Sequence, residues 1–243
     1  MATERLDRPA FYALRRGGWR DLVTLLHPPY TAWHLSYVAL GAAAAPVVHV
    51  DRLLAALAAF FLAVGISAHA LDELEGRPLG TALSDRTLVA LAVVGLLGAA
   101  GIGVAGAVTI SATLVAFVAA GVFLVVAYNL ELFGGRFHGD RWFAVAWGGF
   151  PALTGYWVNA LSLHAGVLVA VACWALSVAQ RRLSTPAREL RRRTVSVEGR
   201  QRLADGSERD LSAADLAAPL DGALRALSLA VPLLAVAALA VRL

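Results

Sequence analysis

Two polar stretches interrupt a largely apolar sequence, and both are rich in residues that bind metal ions and phosphates. The first runs Ser67-Ala-His-Ala-Leu-Asp-Glu-Leu-Glu-Gly-Arg-Pro-Leu-Gly-Thr81. His69, Asp72 and Glu73 stand at i, i+3 and i+4, so a helix extending this far sets all three on one side. One imidazole and two carboxylates on a single face can hold a divalent cation, and these three are the candidate catalytic residues. Glu75 and Arg77 follow within reach of the same mouth, before Gly76, Pro78 and Gly80 turn the chain.

The second stretch runs Tyr128-Asn-Leu-Glu-Leu-Phe-Gly-Gly-Arg-Phe-His-Gly-Asp-Arg-Trp142. It offers Tyr128, Asn129, Glu131, Arg136, His138, Asp140 and Arg141. His34, in Thr31-Ala-Trp-His34, is a third contributor. The candidate metal ligands are therefore His69, Asp72, Glu73, Glu75, Glu131, His138 and Asp140. The candidate substrate contacts are His34, Arg77, Tyr128, Asn129, Arg136 and Arg141; a guanidinium presents fixed donors to phosphate oxygens.

The elements that must position these groups are membrane helices. Of 243 residues, 59% are hydrophobic and only 16% charged, against about a quarter charged in soluble domains. A bilayer core takes about 20 mainly apolar residues per helix. Such runs occur at about 30–48, 53–71, 86–104, 107–127, 143–160, 164–180 and 221–241, which predicts an all-α, polytopic bundle of about seven spans. Gly101, Gly103 and Gly106 are the only punctuation between the third and fourth; the alternative is one bent helix. With seven spans and a cytoplasmic N-terminus, the inner segments 1–29, 72–85, 128–142 and 181–220 hold nearly all the arginine. That is the positive-inside asymmetry. It puts both polar loops on one face of the membrane.

Four regions follow: a cytoplasmic amphipathic segment at 1–29, a six-helix core at 30–180, an arginine-rich insert at 181–220 and a last helix at 221–243. In the first, Phe11, Leu14, Trp19, Leu22, Leu25 and Leu26 describe an interfacial helix. In the insert, Arg181, Arg182, Arg188, Arg191, Arg192 and Arg193 read as a topology signal facing lipid headgroups. Thr194–Val197 with a turn at Asp205-Gly206 suggests a hairpin, and Ser212 to Asp215 reads as a capping box. All 21 basic residues are arginine and the single cysteine is Cys173. The pI near 9.8 fits arginine against anionic lipid, and nothing indicates nucleic-acid binding.

On these residues the chain resembles the UbiA-type intramembrane prenyltransferases. Helix one opens Pro29-Tyr-Thr-Ala-Trp33 and continues into Gly41-Ala-Ala. The first loop ends Gly76-Arg-Pro-Leu-Gly-Thr-Ala-Leu-Ser84, similar to the family segment in which an aspartate-rich motif runs into Arg-Pro-Leu. The second loop returns through Trp147-Gly-Gly. The likeness covers roughly residues 28–160. It implies a helical enzyme that binds a prenyl diphosphate through Mg2+ and transfers the prenyl group to a lipid or aromatic acceptor. The first motif is shortened to His69-Ala-Leu-Asp72-Glu73-Leu-Glu75, and residues 181–193 hold no aspartate where the second motif belongs. The histidines leave open a Zn- or Fe-dependent membrane lipid enzyme, hydrolytic or oxygen-using. A non-catalytic lipid-binding or transport protein is the third possibility. The expected partners are a prenyl diphosphate or other lipid substrate and membrane lipids, and the expected location is a prokaryotic plasma membrane.

Overall fold

A computed structural model describes residues 8–243; expectations on residues 1–7 lie outside the described residues. The fold is helical. In chain order the helices are α1 (Trp19–Leu25), α2 (Pro28–Ala44), α3 (Val50–Leu74), α4 (Asp85–Thr109), α5 (Leu114–Asn129), α6 (140–160), α7 (His164–Arg192) and α8 (Ala213–Ala240). Four of them, α3, α4, α7 and α8, are long and apolar enough to cross a membrane. Val94, Leu97, Val108, Leu168, Leu229 and Leu233 are exposed on the outer surfaces of α4, α7 and α8. Apolar exposure on that scale marks a surface made for a membrane or a partner.

α2 is the central helix. Trp33, Tyr37, Val38 and Ala42 are fully buried, and Trp33 Nε1 donates to Tyr37 Oη at 2.5 Å. The helix lies backbone to backbone against α6. A Cβ added at Gly41 would strike the Ala152 carbonyl, and one at Gly155 would strike the Val38 carbonyl. Only glycine permits that approach. On the other sides, Trp33 and Tyr37 pack with Cys173 of α7 and Val231 of α8.

The structure departs from the expected boundaries for identifiable reasons. α4 and α5 are separate helices, but the break falls at 110–113, not 105–106. Gly103 and Gly106 are packing positions inside α4, set against Val118 and Leu114. α7 runs through the arginine cluster to Arg192, because arginine, alanine and leucine are good helix formers whatever their polarity. Among the described residues of the amphipathic N-terminal segment before α2, the helix is confined to Trp19–Leu25. The hairpin exists, but its strands are β1 (Arg200–Arg202) and β2 (Glu208–Asp210); Asp205 accepts from Ser207 N–H and Oγ–H in the turn. The capping box at Ser212 and Asp215 starts α8 as expected.

Two helices contain π-helical stretches, Phe61–Ala68 in α3 and Val145–Gly149 in α6. Such stretches concentrate at functional sites. Both lead towards the same polar end of the bundle.

Replacing Gly155 by valine is expected to lower stability by roughly 1–3 kcal/mol through overpacking. Thermal unfolding of the purified protein in detergent checks this; an unchanged midpoint would refute the backbone contact of α2 with α6.

Candidate functional site

The loop after α3 is held by buried carboxylates rather than by its own backbone pairing. Glu73 is completely buried. Leu79 N–H donates to its Oε2 at 2.9 Å, and Thr81 donates to its Oε1 from both N–H and Oγ1–H at 2.8 Å. Asp21 of α1, also buried, accepts from Ala82 N–H on one oxygen and from Gly17 N–H on the other, each at 3.0 Å. Between these anchors the chain makes left-handed turns at Gly76, Arg77 and Gly80. Arg77, with φ 54°, has no glycine to ease that conformation. Its guanidinium is held by Asp85 and by the Leu83 carbonyl. Charge-assisted bonds of this kind fix a loop against such strain.

The loop forms one wall of a cavity of about 950 Å³. α7 forms another. Arg181, Thr185, Arg188 and Arg192 recur at helical spacing and all line the cavity. Arg181 donates to Asp140 at 2.8 Å and lies over the Phe143 ring. Arg192 donates from Nε to the Pro9 carbonyl. Arg188 forms no ion pair among the described residues, its one side-chain hydrogen bond there being a long one to Thr185 Oγ1. The floor is made of His34, His69, Val64, Ala68 and Trp147.

The N-terminal segment closes the remaining side through Arg8, Pro9 and Tyr12. The Arg191 guanidinium bonds the Arg8 carbonyl and Asp221 of α8, tying this segment to two helices. Tyr12 Oη and His27 Nδ1 are 2.7 Å apart. Burial pushes the Tyr12 phenol well above its usual pKa, and burial, reinforced by His69, pushes His27 well below its own. His27 therefore stays neutral, stacked at 4.1 Å on His69, with its Nε2 sealed and unpartnered.

The expected site residues divide. His34, His69, Asp72, Glu75, Arg77, Tyr128, Asn129 and His138 all line this one cavity, although they come from α2, α3, α5 and two loops. Glu73, Glu131, Arg136, Asp140 and Arg141 are not among the lining residues. Glu73, expected as a ligand beside Asp72, turns inward to hold the loop. Asp140 answers Arg181, Glu131 sits 3.8 Å from His138 Nε2, and Arg136 and Arg141 are exposed. Among the described residues no three His, Cys, Asp or Glu side chains converge on one ion position. Tyr12, His27, Gln180, Arg188 and Arg192 were not singled out as site residues. The i, i+4, i+7, i+11 spacing of Arg181, Thr185, Arg188 and Arg192 was the signal for the α7 face.

No family model matches the chain, and no curated protein or solved structure matches it.

Glu73→Ala is expected to strand three buried donors at roughly 1–3 kcal/mol each, and to speed hydrogen exchange at the Leu79 and Thr81 amides. If the variant instead keeps both amides protected, the carboxylate is not what organises the loop.

Proposed function

We propose that this chain is a divergent, multi-pass membrane enzyme that transfers a prenyl group from a prenyl diphosphate, with the seven helices α2 to α8 as its spans and the cavity opening to the cytoplasm. The observation that carries the reading is the α7 arginine face set opposite Asp72 across a cavity at one end of an apolar bundle. Arg188 is half-buried and forms no ion pair among the described residues, and a partly desolvated charge is costly when unpaired. Arg188 and Arg192 offer donors that phosphate oxygens would satisfy.

An apolar groove supports the same reading. It is lined by Phe60, Ala63, Leu96, Phe117 and Phe150. Phe60 lies about one turn before Val64 on α3, and Phe150 about one turn after Trp147 on α6, so the groove adjoins the cavity floor. A molecule with an anionic head and a hydrocarbon tail fits that sequence of surfaces.

Magnesium commonly binds through one or two carboxylates together with substrate phosphates, and Asp72 with Glu75 suits that mode. The ion would neutralise charge on the departing diphosphate. In this chain the arginines of α7 take the place of a second acidic motif. They bind the diphosphate and stabilise the charge it gains as the bond to the prenyl carbon breaks. Phe143 and Trp147 keep water from the allylic carbon, and Tyr128, stacked on His138 at 4.6 Å, gives the wall an aromatic face towards developing positive charge.

The test is magnesium-dependent consumption of labelled prenyl diphosphates of several chain lengths by the purified protein with a lipid extract. Arg188→Ala and Asp72→Asn are each expected to lower turnover by about 10²-fold or more, the scale of losing one preorganised electrostatic contact. Full activity in both variants, or no consumption by a folded wild type at any chain length, would overturn the proposal.

A further inference from the structure

The short helix α1 buries its polar side chains and exposes its apolar ones. Its inward face carries Asp21, Thr24 and Leu25, all buried. The two polar groups there are spent on backbone amides: Asp21 holds those of Gly17 and Ala82, and Thr24 Oγ1 accepts from Leu14 N–H at 3.0 Å. The outward face carries Trp19 and Leu22, which are 67% and 43% exposed. Leu14, just before the helix, is exposed as well. So are Arg15, Arg16 and Arg20. Because Asp21 is turned inward, every exposed charge between residues 14 and 22 is positive.

The surroundings fix the level of this surface. Asp21 ties α1 to the loop after α3, and Arg16 adds a long bond to the Thr81 carbonyl of the same loop. Leu25 shares a packed cluster with Ala70 of α3 and with Leu88 and Ala92 of α4. Both α3 and α4 are long and apolar enough to cross a membrane. A segment seated at the turn between two such helices lies where a bilayer meets water. An indole suits that level, and arginine can lay its stem on apolar surface while its head reaches a phosphate.

We infer that the outward face of α1 binds anionic phospholipid of the adjoining leaflet, and that lipid seated there holds the loop after α3 in place. Trp19 and Leu22 enter the boundary between headgroups and acyl chains, and Arg15, Arg16 and Arg20 meet the phosphates. An acidic protein would match the arginines but not the level at which they stand. The link to the loop is Asp21, which lies two residues from Trp19 on the same helix and accepts from the Ala82 amide. That loop supplies Glu75, Arg77 and Leu79 to the cavity wall. A lipid surface outside the cavity is thereby coupled to the shape of the cavity within, whatever reaction the cavity supports.

The experiment uses the full-length protein labelled with fluorotryptophan, in nanodiscs of phosphatidylcholine alone or of an equal mixture with phosphatidylglycerol. The Trp19 fluorine signal is identified by its loss in Trp19→Phe. Phosphatidylglycerol with a nitroxide on its chain is expected to broaden that signal more than phosphatidylcholine with the same nitroxide. The preference should fall about fivefold for each of Arg15→Gln and Arg20→Gln, the scale of one arginine at an anionic surface. Equal broadening by the two lipids, or none by either, would overturn the inference. The coupling is read separately, as hydrogen exchange at the Ala82 amide. Phosphatidylglycerol is expected to slow this exchange in the wild type. Asp21→Asn is expected to keep the lipid preference of the Trp19 signal while the Ala82 amide loses its response to lipid. A wild-type Ala82 amide indifferent to lipid composition, or one that responds equally in Asp21→Asn, would overturn the link through Asp21.

Discussion

The backbone contact between α2 and α6 is the constraint on which the cavity depends. With glycine at positions 41 and 155, two helices lie closer than side chains allow, and that closeness brings His34 within hydrogen-bond range of the Trp147 carbonyl. Each consequence is local. The ring of His34 is oriented, Trp147 is drawn into the floor, and Phe143 is set one turn away beside Arg181. A wider spacing between these helices would leave the same residues in the sequence but not a shared surface.

Electrostatics accounts for the rest of the architecture. The polar end of the bundle concentrates arginine on α7, and the fold disposes of much of that charge internally. Arg191 is answered by Asp221, Arg181 by Asp140, and Arg192 by a backbone carbonyl of the N-terminal segment. Arg188, which lines the same cavity as Asp72 and Glu75, forms no ion pair among the described residues. Ionic groups taken out of water are unfavourable unless matched. The surplus is the physical reason to expect an anionic ligand there. The carboxylates show the same division of labour: Glu73 and Asp21 are spent on the loop backbone, while Asp72 and Glu75 remain turned to the cavity.

The helical class was legible in the sequence, and so were the four helices long and apolar enough to cross a membrane, because apolar runs of that length have few alternatives. So was the grouping of His34, His69, Asp72, Tyr128 and His138, since the loops bearing them were expected on one face. The fate of Glu73 was not legible. At i+4 from His69 it belongs to the same helical face by spacing alone, and only the path of residues 79–81 shows that backbone amides claim it. The arginines of α7 were misread as a loop because polarity was weighed above helix propensity. Their period, which places four residues on one face, was present in the sequence throughout.

The π-helical stretch in α3 acts as a phase adjuster. Each residue of an α-helix turns the chain by about 100°, so one residue more or fewer before His69 rotates everything beyond it by that amount. The stretch at Phe61–Ala68 lets the apolar half of α3 face its neighbours in one register while His69 and Asp72 face the cavity in another. Shortening it by one residue would leave the composition and length of the helix nearly unchanged, yet would swing the floor and its carboxylate away from the arginines they oppose. The chemistry of this end of the molecule is therefore set as much by a count of residues in an apolar segment as by the polar residues themselves.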